Sequence, residues 1–163
     1  MNDADKLHMS EGLAGRLERV GEALAAEMRR AETARGLRAG PGEAEWSALE
    51  ILGHVVEMIP YWLAHVRTIV AADEPPRFGR TLDSPERLAA VAAVDTLGPG
   101  RLVEQLETEV EAAARAIRGM SAEALAKKGL HLRRGEMTAG EVLGEFIVAH
   151  AEDHLEQVRA ALG

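Results

Sequence analysis

Residues 146–162 read FIVAHAEDHLEQVRAAL, and their apolar periodicity predicts an amphipathic helix at this end of the chain. His150 and His154 are four residues apart within it, so their side chains differ by only about 40° in direction and about 6 Å in height. Two imidazoles so placed can share one divalent ion, because nitrogens about 2.0–2.1 Å from zinc must approach within roughly 3.5 Å of each other. A pair of packed or solvated histidines without a metal satisfies the same spacing. A third ligand would have to come from another element.

The helix has a defined start. Thr138 and Glu141 form the S/T-x-x-E capping box, in which each side chain takes up the other residue's amide. The same device recurs at Ser47 and Glu50, launching a helix predicted to run to about Ala72. His54 lies two turns into it, among Leu49, Ile51, Leu52, Val55, Met58, Ile59, Trp62, Leu63 and Val66. So many apolar residues exceed one narrow stripe, which makes this the most buried helix of the set. Pro60 removes one amide donor and predicts a kink about a turn and a half past His54.

Working outward, Leu13, Leu17, Val20, Leu24 and Met28 mark a first helix from about Ser10 to Arg35, ending at Gly36 and the Gly40-Pro41-Gly42 turn. Residues 1–9 read as a disordered tail. After Ala72, DEPPRFGRTLD reads as a loop, then Ser84-Pro85-Glu86 starts a helix running to about Thr96. Another spans about Gly100 to Arg118, with Leu102, Val103, Leu106, Val110, Ala113, Ala114 and Ile117 inward. A short helix over Ser121 to Lys127 and a polar loop over Gly129 to Gly135 precede the final cap. The expectation is a single all-α domain over residues 1–163, a four-helix bundle with a crossover connection and short additional helices.

Composition narrows the function. The chain has 163 residues, few aromatics and a formal charge of -8. A phosphate backbone would meet net repulsion, and no basic run compensates, so no nucleic-acid partner is expected. With no cysteine, disulfides, thiolate ligands and a cysteine nucleophile are excluded. The first residues lack a leader pattern and no apolar run reaches membrane-spanning length, so the expected setting is cytoplasmic with no membrane partner.

Position separates the six histidines. His8 falls in the tail and His131 in a polar loop, where solvated roles are expected. His65 is eleven residues beyond His54, on nearly the same face but about 16 Å away, so one metal cannot bind both; it lines the same cavity or sits at the end of the bundle. His54, His150 and His154 remain as a possible three-histidine metal site. Three neutral imidazoles with an open position describe a catalytic rather than a structural site, and the set suits zinc, nickel, iron, cobalt or copper. In HAEDH the acid lies two residues after the first histidine, not one, so this is not the H-E-x-x-H protease signature. Glu57 and Asp153 are candidates to accept hydrogen bonds from the imidazoles.

The run from Trp46 to Val66, WSALEILGHVVEMIPYWLAHV, resembles the second helix of the DinB-like (DinB/YfiT-type) metalloenzyme superfamily, and the run from Thr138 to Val158, with its H-x3-H followed by a glutamine, resembles that family's last helix. The resemblance implies a four-helix bundle, often a homodimer, with one divalent ion on His54, His150 and His154 and water or a thiol in its open position. It further implies an S-transferase or isomerase using a low-molecular-weight thiol, of the mycothiol or bacillithiol type, on a small-molecule electrophile. A non-catalytic metal- or ligand-binding bundle, a metal-dependent hydrolase and a metal-free interaction protein stand as alternatives.

Overall fold

The computed structural model describes residues 3–34 and 46–163. Four rods make the bundle. α1 spans Asp3–Ala34, so residues 3–9, expected as a disordered tail, are helical. Ser10, the expected start, is buried within the helix. The turn expected at Gly36 and Gly40-Pro41-Gly42 lies outside the described residues. α2 spans Ala48–Ala71. Ser47 Oγ accepts from the Glu50 amide at 3.2 Å while Glu50 Oε2 accepts from the Ser47 amide at 3.0 Å. The helix continues through Pro60 without a break.

Two short helices, α3 (Pro85–Ala92) and α4 (Val94–Leu97), lie in the crossover from α2 to α5 (Pro99–Arg118). α6 is Ala122–Ala126. The last rod is continuous but not uniform: α7 (Ala139–Val142) leads into a π-helical stretch, Leu143–Ala149, and then α8 (His150–Leu162). The capping box forms at its start, with the Glu141 amide 3.1 Å from Thr138 Oγ1.

Ion pairs give the directions. Arg118 reaches Glu11 and Glu18 while Arg29 reaches Glu107, so α1 and α5 run antiparallel. Arg16 pairs with Glu152 and Arg159 with Glu27, so α1 and α8 run parallel. Leu17, Leu24, Met28, Ile51, Leu52, Met58, Ile59, Leu102, Leu106, Ile117 and Leu143 form the centre of the core, all fully buried. Among the described residues no helix is long and apolar enough to cross a membrane.

At one end the expected loops are a small sheet. β1 (Arg77–Phe78) pairs in parallel with β2 (Lys128–His131), which turns back as a hairpin into β3 (Gly135–Thr138). Phe78 and His131 are register partners. Gly79, at φ 116°, leaves β1 where an added Cβ would stand 2.9 Å from His131 Nε2. Both its backbone and its bareness are required there.

Beside the metal candidates, α2 comes close to the crossover at Gly53. A Cβ there would meet Val94 Cγ1 at 2.4 Å and the Ala90 carbonyl oxygen at 3.1 Å. Alanine would gain up to about 1 kcal/mol of helix propensity, but overpacking costs typically about 1–3 kcal/mol, and one neighbour is backbone. Gly53→Ala is expected to lower stability by about 1–2 kcal/mol in urea unfolding of the metal-free protein. Equal or greater stability would show that α4 moves aside freely.

Candidate metal centre

The structure brings His54, His150 and His154 together, with one potential ligand atom from each, all within 4.8 Å of one another. α2 and the last rod run antiparallel here, since His54 meets His150 while Trp62 stacks against Phe146 at 4.6 Å between centroids. The His54 and His150 Nε2 atoms are 3.3 Å apart. A tetrahedral ion with bonds of about 2.0–2.1 Å has ligand-to-ligand edges of about 3.3–3.4 Å, so this edge fits as it stands.

The third ligand is oriented by a residue outside the triad. His154 Nδ1 is 2.9 Å from Gln157 Oε1. An amide oxygen can only accept, so Nδ1 carries the proton and Nε2 is the nitrogen left for a metal. Gln157 thus does what Glu57 and Asp153 were expected to do. Asp153 is exposed. Glu57 Oε2 lies 4.0 Å from His54 Nδ1, beyond hydrogen-bond range, and the Glu57 carboxylate is gripped on both oxygens by Arg80. Replacing Gln157→Leu is expected to weaken metal affinity about 10–100-fold, measured by competition with a chelating dye. Unchanged affinity would mean that packing alone fixes the ring.

Burial tunes the donors. His54 is 3% exposed and His154 1% exposed. Burial, followed by the nearby His154 and Arg87, pushes the His54 imidazole down to about 2. Burial also lowers His154, against the opposing pull of its bond to Gln157. Neutral imidazole is the form that a metal takes, so the site does not have to shed protons before binding. The donor set, its spacing and its protonation all fit a divalent ion.

His54 and His150 lie in the wall of a cavity of about 260 Å³, whose other walls include Trp62, Phe146, His131 and Arg87. All five aromatic residues of the chain gather at this end: Trp46 lies 5.5 Å from His54, Tyr61 lies under Arg80, and Trp62, Phe78 and Phe146 surround His131.

His131 overturns its expected solvated role. It is 8% exposed, and its Nδ1 accepts from the backbone amides of Arg133 and Arg134 at 3.2 and 3.1 Å. Two donors on Nδ1 fix the tautomer that carries its proton on Nε2. Burial, then Arg133 and Arg134, hold this ring neutral by lowering its pKa. His65 is apart from the triad and does not line the cavity; it packs against Tyr61, Trp62 and Phe78. His8 is exposed.

The comparisons with known proteins follow the same geometry. The DinB superfamily model matches residues 15–158. Among solved structures, YfiT from Bacillus subtilis, described as "a probable metal-dependent hydrolase with an unusual four-helix bundle topology", is similar with a TM-score of 0.70. The identity is 14%, over 91% of this chain and 85% of that one, which shows a shared fold. Among curated proteins nothing matches. With the family model covering nearly the whole bundle and both histidine-bearing helices, the chain belongs to the DinB superfamily.

Proposed function

We propose that the protein is a metal-dependent enzyme that holds one divalent ion, zinc or nickel first, on His54, His150 and His154 and uses a low-molecular-weight thiol as cosubstrate on a small electrophile. The observation that supports it is the meeting of three imidazoles, two of them buried, at the wall of a cavity onto which His150 opens. When bound, the ion supplies Lewis-acid chemistry, lowering the pKa of a thiol or water in its open position. The chain's own residues do the rest. Gln157 orients His154, Trp62 and Phe146 form an apolar wall that keeps water from the reacting group, and His131, its tautomer fixed by two backbone amides, forms part of the same wall. Since the chain has no cysteine, any sulfur nucleophile must enter from outside.

Hydrolysis is the second reading, favoured by the description of YfiT. It needs a base for the attacking water, and the carboxylate beside the triad, Glu57, is engaged by Arg80. The test loads the protein with zinc or nickel and assays mycothiol, bacillithiol and simpler thiols with a chromogenic electrophile, beside ester substrates without thiol. Thiol-dependent turnover that disappears in His150→Ala supports the proposal. Ester turnover without thiol assigns a hydrolase, and stoichiometric metal with neither activity assigns a binding protein.

A further inference from the structure

One ring nitrogen of the triad is left over by the arrangement described so far. His54 Nδ1 is sealed from solvent and has no hydrogen-bond partner among the described residues. The other nitrogen of that ring, Nε2, is the one that meets His150 Nε2 at 3.3 Å. A neutral imidazole that offers Nε2 as a lone pair carries its proton on Nδ1. The proton then sits where water does not reach it, and a buried donor left without an acceptor costs about 1–3 kcal/mol.

One acceptor is close. Glu57 follows His54 by three residues on α2, the spacing of neighbours on a helix face, and its Oε2 lies 4.0 Å from Nδ1. A hydrogen bond of about 2.7–3.2 Å requires an approach of about 1 Å, which side-chain torsions can supply. Arg80 does not stand in the way. It donates to both oxygens of Glu57, with Nη2 2.7 Å from Oε2, but each carboxylate oxygen has two lone-pair sites, so Oε2 can accept from the imidazole while the fork stays in place. Arg80 is itself fixed: its side chain is 9% exposed, and its guanidinium lies 3.9 Å from the centre of the Tyr61 ring. A carboxylate gripped on both oxygens by a fixed cation cannot swing out to solvent.

We infer that Glu57, anchored by Arg80, is the positioning residue of His54, accepting a hydrogen bond from Nδ1–H and thereby turning Nε2 towards the metal site. This deepens the proposed function, on which it rests for the role of Nε2. The two buried imidazoles then have acceptors of different kinds, a neutral amide of Gln157 for His154 and a carboxylate for His54. A carboxylate partner raises the basicity of a ligating imidazole as well as fixing its tautomer.

The test measures zinc affinity by competition with a chelating dye, and reads the His54 tautomer by nitrogen NMR of the imidazoles, both zinc-loaded and after chelation. In the wild type Nδ1 is expected to carry the proton in both states. Glu57→Leu removes the acceptor and should weaken zinc binding about 10–100-fold, while the chelated protein loses its preference for Nδ1–H. Arg80→Gln breaks the same ion pair but leaves the carboxylate, so it should lose clearly less affinity and keep the tautomer. If Glu57→Leu folds poorly because Arg80 has lost its counter-charge, Glu57→Leu/Arg80→Met removes both partners, an exchange that is often neutral for stability, and decides in its place. Wild-type zinc affinity in Glu57→Leu, equal losses in Glu57→Leu and Arg80→Gln, or a wild-type His54 protonated on Nε2 would overturn the inference. Nδ1 protonation that depends on Glu57, in a wild-type chain that takes up no metal, would uphold the positioning role and refute the metal function instead. Stoichiometric zinc with a His54 tautomer indifferent to Glu57 would do the reverse.

Discussion

Protein purified without added chelator is expected to carry about one divalent ion per chain, and a His54→Ala/His154→Ala variant almost none. The double change leaves a single imidazole, which cannot chelate. The single change His150→Ala removes one of three ligands and should cost at least about tenfold in affinity, because it deletes one end of the 3.3 Å edge that the ion would bridge. His65→Ala should cost nothing in metal, since His65 packs against Tyr61 and Phe78 and not in the triad.

Linkage gives an independent readout. A ligand that binds only the folded chain, at a hundred times its dissociation constant, stabilises by about 2.7 kcal/mol. For a chain of this size that raises Tm by about 5–10 °C. Excess zinc should therefore shift the wild type by that amount and leave the double variant where it was. The same shift in both would place the metal elsewhere, and no shift in either would leave a packed histidine cluster with no metal function.

The sequence revealed the scaffold through its caps and stripes. Ser47 with Glu50 and Thr138 with Glu141 mark two helix starts to the residue, and local chemistry of that kind is legible because both partners are close in sequence. His54, His150 and His154 could be singled out for the same reason. Each sits at a helical position whose direction follows from spacing, and a family likeness supplied the pairing of the two helices.

What went unread depends on contacts distant in sequence. β1 is two residues long, and its pairing with β2 joins Phe78 to His131 across the whole α5 region. Neither strand carries enough residues to show a period. The flanking arginines made His131 look solvated. The structure buries Gly129 and His131 and exposes Lys128 and Leu130, an alternation that the residue types do not display. The π-helical turns of Leu143–Ala149 were also invisible, because they leave the apolar pattern intact while changing the angle at which His150 leaves the rod. Gln157 is three residues past His154 and its role could have been read from helical spacing alone. The glutamine entered only as part of the family likeness, and the hydrogen bond to His154 was looked for among the carboxylates instead.

The second large effect concerns pH in the metal-free protein. His54 titrates near 2 in the folded chain because burial disfavours its charge, against an unfolded value near 6.5. The unfolded chain therefore binds the extra proton everywhere between those values. The stability contributed by neutral His54 is fully present above about pH 6.5 and declines as pH falls below it. The slope is about 1.4 kcal/mol per pH unit for this one group, or about 2 kcal/mol between about pH 6.5 and pH 5. His154, His131 and His65 are lowered in the same direction by burial and add to the loss. The carboxylates lowered by ion pairs, such as Glu27 beside Arg30 and Arg159, contribute only as pH drops towards the ordinary glutamate range, so they do not share this window. Urea unfolding after chelation should thus show at least about 2 kcal/mol less stability at about pH 5 than at about pH 7.5. His54→Gln, which has no proton to gain, should reduce that difference by up to the same amount. Parallel pH profiles in wild type and variant would mean that the folded protein accepts a proton on His54, and with it that the imidazole is not held in the neutral form a metal needs.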